Sequence, residues 1–250
     1  MQQHTLYQRY EILSQELAEW MIPVRRDVPS VAMIYNPLEY ARLPWRQYAD
    51  NFGVTTGRIL FLGMNPGPWG MAQTGIPFGE VAAVRDWMGI DEPVHTPTPM
   101  HPKRPILGFD CPRSEVSGRR LWGLAAEHYT TAAAFFSQNF VLNYCPLVFM
   151  EESGRNLTPD KLPQPYRGEL QRLCDRALTD VIRVLQPVAL VGVGIYARKA
   201  LERAAATVYE NTPSPATLSI LHPSPASPAA NAGWSTKVLE QLRAANLWIR

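Results

Sequence analysis

The sequence predicts an α/β protein in which helices cover both faces of a parallel sheet of four strands. Short apolar runs at residues 58–63, 139–144, 187–194 and 216–222 are typical of buried strands. Segments with helical spacing of apolar residues separate these runs, and this alternation indicates a parallel sheet. The chain has 250 residues, of which 46% are hydrophobic and 18% charged, as in globular proteins. We expect a single domain over residues 1–250.

The N-terminal half begins with a predicted helix at about residues 4–20, where apolar residues recur with helical spacing. We expect this helix to pack on the domain. The apolar run "RILFLG" then gives the first strand, and a helix is predicted at 79–89. A proline-rich loop over 91–118 leads to a helix at 118–129.

The C-terminal half contributes the other three strands. Ligands of such sheets bind at the carboxyl ends of the strands, so the residues that follow each strand are the candidates for a site. The predicted elements of this half, in chain order, are a strand at 139–144, a long helix at 166–185, a strand at 187–194, a helix at 195–205, a strand at 216–222 and a closing helix at 234–246.

Two amides, a glycine turn and an imidazole follow the four predicted strands. Asn65 follows the first strand, Asn143 ends the second, residues 192–194 form the turn after the third, and His222 follows the fourth. Because no Asp or Glu is among them, we expect neither a metal-dependent nuclease or phosphatase nor a glycosidase with a carboxyl pair. A dissociative reaction suits these groups, since its transition state is already cationic and water only has to be placed. We expect no metal and no cofactor.

Charge and cysteine content exclude other classes. The net charge of +2 permits nucleic acid as a partner only through a local basic patch. Three scattered cysteines without a C-x-x-C pair exclude a disulfide framework and make a four-thiolate metal site implausible. Since the sequence shows neither a signal peptide nor an apolar run long enough to span a membrane, we expect a soluble intracellular protein with no membrane partner.

The loop over residues 63–80, "GMNPGPWGMAQTGIPFGE", is stiff, apolar and rich in small residues. Glycine lets backbone approach a flat ligand and proline fixes the loop's shape. Asn65 has an ordinary interpretation as a turn residue, His222 as part of a loop, and Phe78 as core. Their occurrence around the ends of separate strands favours a site instead. An asparagine can pair with a pyrimidine edge, a histidine can hydrogen-bond a carbonyl that gathers negative charge, and Phe78 can stack on a base.

The chain resembles the single-strand-selective monofunctional uracil-DNA glycosylases of the uracil-DNA glycosylase superfamily. The motifs "GMNPGPWGMAQTGIPFGEV", "HPKRPILGFDCPRSEVSGRRLWG", "NYCPL", "SGRNLTP" and "HPSPASPAANAGW" carry the resemblance from about residue 30 onward. It implies a three-layer α/β/α sandwich with a central four-stranded parallel sheet. It also implies hydrolytic removal of uracil and 5-substituted uracils, such as 5-hydroxymethyluracil, from single- and double-stranded DNA. Neither a metal nor a covalent lysine adduct would be involved.

The resemblance also implies residue roles. Asn65 would position the attacking water at the sugar C1′, and His222 would hydrogen-bond uracil O2 as the base departs with negative charge. Asn143 would read N3–H and O4 and so reject cytosine, and Phe78 would stack on the flipped base. The remaining substrate contacts would be the backbone of Met64 and the space beside Gly67, where stricter uracil glycosylases carry a tyrosine that blocks the C5 methyl.

Two segments would face the DNA, residues 153–167 and about 230–243. Arg155, Lys161, Arg167 and Lys237 would contact phosphates, although each could equally be a solvated surface cation. Ala226 stands where familiar members carry an arginine, which predicts a weaker grip on duplex DNA. The full predicted DNA-binding set is Ser153, Gly154, Arg155, Asn156, Lys161, Arg167, Asn231, Gly233, Trp234 and Lys237.

Four alternatives stay open at this point. A glycosylase of the same fold could act mainly on deaminated purines such as xanthine. The run "GVGIYA" at residues 192–197 fits a dinucleotide-binding fingerprint, but it follows the third strand instead of the first. Cys145 and His222 could form a thiol hydrolase, and a damage-binding protein could lack catalysis. We expect DNA as the partner, a monomer, and a cytoplasmic location, nucleoid-associated in a bacterium or nuclear in a eukaryote.

Overall fold

The structure, a computed structural model, describes residues 4–248. The strands within these residues are β1 (Met33–Tyr35), β2 (Ile59–Gly63), β3 (Asn139–Asn143), β4 (Val148–Met150), β5 (Asn156–Leu157), β6 (Ala189–Val193) and β7 (Ala216–Ile220).

The helices of the same residues differ greatly in length, from four residues to 22. None of them is long and apolar enough to cross a membrane. They are α1 (Leu6–Asp27), α2 (Pro37–Tyr40), α3 (Arg42–Phe52), α4 (Met71–Thr74), α5 (Val116–Tyr129), α6 (Ala132–Phe136), α7 (Gln164–Leu185), α8 (Ile195–Val208), α9 (Pro228–Asn231) and α10 (Trp234–Ala244).

The four predicted strands form one parallel sheet in the order β3-β2-β6-β7, which confirms the predicted architecture. Every residue of β2, β3 and β6 is buried. A strand covered on both faces has no solvent side, so its sequence is a continuous apolar run without alternation.

Helices pack on both faces of the sheet. On one face, Phe61 and Val141 line one apolar pocket together with side chains of α5, α6 and α10. Because successive side chains of a strand point to opposite faces, Leu60 and Leu62 face the other layer. In that layer α8 packs on the sheet and on α7, and α1 packs on α7. The arrangement is the three-layer α/β/α sandwich that the resemblance implies.

The helix boundaries differ from the predicted ones. The N-terminal helix runs to Asp27 although Pro23 lies inside it, because Met21 and Val24 continue its buried stripe. A capping box between Thr5 and Gln8 begins this helix. The helix predicted at 79–89 is a short helical segment whose residues Ala83–Trp87 form a π-helical turn.

A second, antiparallel sheet in the order β1-β4-β5 was not predicted. Its strands have only two or three residues, too few for a periodic pattern. The sheet pairs Met150 with Asn156 and so sets the position of the chain that enters the first predicted DNA-facing segment.

Candidate active site

The carboxyl ends of the parallel strands border a cleft of about 460 Å³. Parallel pairing in register places Gly63 beside Asn143 and Val193 beside Ile220, so the chain leaves all four strands at one edge. All residues predicted for catalysis or substrate binding line this cleft, namely Met64, Asn65, Gly67, Phe78, Asn143 and His222.

Gly63 lets Phe78 and Asn143 meet above the end of β2. A Cβ at Gly63 would lie 2.3 Å from Oδ1 of Asn143 and 2.6 Å from the ring of Phe78. The Asn143 side chain is 4% exposed, and its Nδ2 contacts Sδ of Met71 at 3.2 Å. Its Oδ1 has no hydrogen-bond partner among the described residues. A buried acceptor without a partner is costly, so this oxygen is ready to receive a donor from a ligand.

Phe78 is held in a left-handed backbone conformation, with φ of 54°. The Trp122 indole Nε1 donates a hydrogen bond of 3.1 Å to the Phe78 carbonyl, and Gly118 leaves room for that carbonyl. Non-glycine residues adopt this conformation at a cost, which surrounding contacts have to offset. The ring is therefore a fixed wall of the cleft.

The imidazole of His222 has a defined tautomer. Its Nδ1 accepts a hydrogen bond of 3.1 Å from the Ser224 amide, so the proton of the neutral ring lies on Nε2. Burial lowers the pKa of His222 below its ordinary value of 6.5. A Cβ built on Gly194 would lie 3.5 Å from the His222 ring, so the glycine allows this close packing. Gly194 has a φ of 96° and lies in the turn after β6. The site thus holds a neutral N–H donor at physiological pH.

Asn65 stands on a loop fixed at its start by backbone bonds to the end of β3. The amides of Tyr144 and Cys145 donate to the carbonyls of Gly63 and Met64, each at 2.9 Å. The Asn65 Nδ2 donates to the Pro66 carbonyl at 3.2 Å. Its half-buried side chain therefore keeps Oδ1 as an acceptor for a water.

A buried carboxyl that the strand-end reasoning missed, Glu115, also lines the cleft. Cβ atoms built on Gly67 and Gly70 would lie 2.6 and 2.3 Å from its Oε2, so the carboxyl fills the space beside these glycines. Burial raises the pKa of Glu115 to about 7, although the backbone amides of Trp69 and Gly70 favour the charged form. No local pattern marks this residue, because it lies 50 residues after Asn65 in an irregular loop.

Glu115→Gln is expected to stabilise the protein at pH 8. The folded-state pKa of Glu115, about 7, exceeds the ordinary 4.5. Ionisation of Glu115 therefore lowers the free energy of unfolding of the wild type progressively from pH 4.5 to pH 7, and in full above pH 7. The gain should reach about 3 kcal/mol at pH 8 and vanish toward pH 4.5. Urea unfolding at pH 5 and pH 8 measures it, with Glu127→Gln on the exposed face of α5 as control. An equal effect at both pH values would contradict the prediction.

Gly63→Ala is expected to impair binding and excision together, because the new methyl displaces Asn143 and Phe78. We expect a destabilisation of about 1–3 kcal/mol from overpacking and uracil excision slower by roughly tenfold or more from the lost base contacts. Thermal unfolding and single-turnover excision measure the two effects. Gly123→Ala in α5 is the matched control, since its Cβ would meet nothing within 4 Å. Equal excision by both variants would exclude this role of Gly63.

The first predicted DNA-facing segment contributes a cleft residue and several paired cations. Asn156 lines the cleft and donates to the Pro66 carbonyl at 3.1 Å. Arg155 forms two hydrogen bonds with Glu151, and Lys161 lies 3.6 Å from an Asp160 oxygen. The other predicted residues are Ser153, exposed beside the Glu151 carboxylate, Gly154, buried in a turn with φ of 78°, and Arg167, bonded to Gln164 and to the Asp160 carbonyl.

The second predicted segment is tied to the loop that carries His222. Asn231 accepts 2.8 Å from Arg120, which also donates to the Pro223 carbonyl at 2.9 Å. Gly233 is exposed with φ of 94°, and the Lys237 ammonium donates to the Ala229 carbonyl at 3.0 Å.

Trp234, which also belongs to the predicted DNA-binding set, is a buried residue. Its side chain is 3% exposed and its indole donates to the Leu221 carbonyl at 2.7 Å. Tryptophan in this motif therefore packs in the core and steadies the strand end that precedes His222.

Two alternative readings do not match the geometry. Cys145 is fully buried beside Cys174 and does not line the cleft with His222, so the pair cannot act as a thiol hydrolase. The glycine turn after β6, which fits the dinucleotide-binding fingerprint, packs against the side chain of His222. Within residues 4–248, no group of three or more His, Cys, Asp or Glu residues could hold a metal ion.

Comparisons with known proteins show the family to which the chain belongs. Residues 51–245 match the model of the uracil-DNA glycosylase superfamily. The chain is 47% identical over 231 residues to a single-strand selective monofunctional uracil-DNA glycosylase of Rattus norvegicus, covering 92% of this chain and 80% of the relative. The corresponding protein of Bos taurus is 48% identical over 85% of this chain and 77% of its own.

A solved structure of SMUG2 from Pedobacter heparinus has the same fold. The TM-score is 0.63 at 17% identity, with 92% of this chain and 96% of that chain covered. The chain belongs to the uracil-DNA glycosylase superfamily and, within it, to the family of single-strand-selective monofunctional uracil-DNA glycosylases. It is a hydrolase acting on N-glycosyl bonds that excises uracil from DNA.

Proposed function

We propose that the enzyme hydrolyses the N-glycosidic bond of uracil and of 5-substituted uracils such as 5-hydroxymethyluracil, in single- and double-stranded DNA, and leaves an abasic site. The observation that carries this proposal is the convergence of three groups on one cleft. These are the Asn65 amide, the neutral His222 imidazole and the unpaired Oδ1 of Asn143. We further propose that the enzyme is a monomer and acts inside the cell, at the nucleoid of a bacterium or in the nucleus of a eukaryote.

Recognition of the base would rest on Asn143 and Phe78. The Asn143 Oδ1 would accept from N3–H of uracil, and its Nδ2 would leave the weak Met71 contact to donate to O4. Cytosine presents an unprotonated N3 and an amino group at C4, so both contacts would be lost. The fixed Phe78 ring would stack on the flipped base, which is worth about 1–3 kcal/mol.

Chemistry would need little from the protein beyond placement and charge stabilisation. Asn65 Oδ1 would hold the attacking water beside C1′ of the sugar. As the C1′–N1 bond breaks, both electrons go to the base, and His222 Nε2–H would donate to uracil O2 as negative charge collects there. Water then adds to the oxocarbenium carbon and loses a proton to solvent. An amide is a weak base. A weak base is sufficient here because the water adds only after the C1′–N1 bond has broken.

A polar wall beside C5 would admit substituted uracils. Gly67 offers no side chain, and the carboxyl of Glu115 lies 2.6 Å from the position that a Cβ there would take, where it could hydrogen-bond a substituent on C5. A hydroxymethyl group can form a hydrogen bond with the carboxyl, whereas a methyl group would bury the carboxyl without a hydrogen-bond partner. We therefore expect 5-hydroxymethyluracil to be processed and thymine to be rejected.

The test is a panel of oligonucleotides carrying uracil, 5-hydroxymethyluracil, thymine or cytosine, each as single strand and as duplex. The proposal expects abasic sites from the first two in both forms and none from the others. Because Ala226 is exposed and brings no cation to its loop, we expect weaker binding to duplex than to single strand. Failure on 5-hydroxymethyluracil, or on every duplex, would restrict the enzyme to uracil or to single strands.

A further inference from the structure

A basic surface that neither predicted DNA-facing segment contains lies beside the cleft. It consists of Trp69, Lys103, Arg104 and Arg113, and we call it the Trp69 surface. The guanidinium carbons of Arg104 and Arg113 lie 5.1 and 4.8 Å from the centre of the Trp69 ring. Both distances are within the range of cation–π attraction, so the ring holds the two guanidinium groups near each other.

In the described part of the chain, the cations of this surface have no acidic partners. Within residues 4–248, no Asp or Glu forms an ion pair with Lys103, Arg104 or Arg113. Arg155 and Lys161, by contrast, are partnered by Glu151 and Asp160. Cations held together without counter-charge repel one another, and an anion relieves that repulsion.

The surface is rigidly joined to the loop that carries Asn65. The side chain of Gln73 is fully buried and donates to the carbonyls of Pro68 and Pro105 at 2.9 and 3.1 Å. Its Oε1 accepts from the Leu107 amide at 2.8 Å. The carboxamide thus locks the loop of Trp69 to the loop of Arg104, so the unpaired charges keep a fixed position relative to the cleft.

The base of the surface is equally well fixed. The turn from His101 to Arg104 closes through a backbone bond of 3.0 Å, and the Tyr35 hydroxyl bridges the His101 amide and the Arg104 carbonyl at 2.7 Å each. The turn at Gly154 packs on this unit, since a Cβ built on Gly154 would lie 3.1 Å from the Cβ of Lys103. The Trp69 surface therefore continues into the first predicted DNA-facing segment.

We propose that the Trp69 surface binds phosphates of the DNA strand that carries the excised base. Lys103 and Arg113 are exposed and supply the free charge. Arg104, half-buried and bonded to the Lys103 carbonyl, and Trp69 hold that charge in place. A chain with a net charge of only +2 needs such a local patch to hold a polyanion. The inference rests on the proposed function, since it names how the same site holds its substrate.

The test is the salt dependence of binding. The probe is a fluorescent single-stranded oligonucleotide with one 2′-fluoro-2′-deoxyuridine, whose fluorine disfavours the oxocarbenium state, so binding is measured without turnover. Kd is determined from 50 to 200 mM NaCl for the wild type and for Lys103→Ala/Arg113→Ala. Each phosphate contact to a single strand contributes about 0.7 to the slope of log Kd against log salt. Loss of two contacts should therefore reduce the ratio of Kd at 200 mM to Kd at 50 mM roughly sevenfold.

The matched control is Arg46→Ala, which removes a cation paired with Asp50 on α3. Helix α3 leads into the amino end of β2, at the sheet edge opposite the cleft. A double variant with the slope of the wild type and of Arg46→Ala would overturn the inference. Uracil excision by the wild type is measured in parallel on an unmodified oligonucleotide. An inactive wild type that still shows the expected slopes would count against the proposed function and leave the phosphate surface standing.

Discussion

Replacing Asn65 by alanine is expected to slow uracil excision by about 10²–10⁴-fold while leaving binding of uracil DNA nearly unchanged. The side chain lies on the loop after β2, and its Nδ2 bond to the Pro66 carbonyl fixes the direction of its Oδ1. Alanine removes the acceptor that would place the water, without touching the contacts of Asn143 or Phe78 to the base.

Single-turnover excision on a uracil oligonucleotide and fluorescence anisotropy with the uncleavable analogue separate the two effects. Phe78→Ala should weaken both binding and turnover, because stacking acts on the bound base at every stage. Asn51→Ala, an exposed amide on α3, is the matched control. An Asn65→Ala enzyme with wild-type turnover would remove Asn65 from the proposed mechanism.

Replacing His222 by alanine is expected to lower the excision rate by about 10²–10³-fold, the usual cost of one oxyanion donor. The Ser224 amide occupies Nδ1 at 3.1 Å, so Nε2–H is the donor left for uracil O2. Ground-state binding should change less, because the charge on O2 develops only as the bond breaks. His95→Ala, which changes an exposed histidine outside the cleft, serves as control.

The pH dependence follows from the same residue. Burial lowers the pKa of His222, so the neutral, catalytically suited ring persists to lower pH than an exposed histidine would. Loss of activity through protonation of His222 should therefore have its midpoint below pH 6.5. In folding, the unfolded chain takes up this proton first, so the group destabilises the fold as pH falls through 6.5. Loss of excision with a midpoint above 6.5 in the Glu115→Gln variant would contradict this assignment.

The strand ends could be predicted because parallel strands in register bring distant residues to one edge. Asn65, Asn143 and His222 are scattered over more than 150 residues, yet each follows an apolar run that is visible in the sequence. Pairing in register then requires the ends to meet. The order of the elements, together with the tendency of parallel sheets to bind ligands at the carboxyl ends of their strands, is sufficient to predict this site.

Features that depend on irregular segments of the chain could not be predicted. Glu115 reaches the cleft through the fold of a proline-rich loop, and the ion pair of Arg155 with Glu151 depends on a turn at Gly154. Trp234 has the residue type of a surface stacking group, but tertiary packing buries it. In each case the decisive contact joins segments that no periodic pattern relates.

Asn65 and His222 are proposed to excise uracil by hydrolysis, without cleavage of the DNA backbone. The most direct measurement uses an end-labelled single-stranded oligonucleotide with one uracil, incubated with the enzyme in EDTA and then split into samples with and without hot alkali. We expect a strand break at the uracil only after alkali, which opens the abasic site. A break without alkali would require lyase or nuclease chemistry, and no break in either sample would refute excision of uracil.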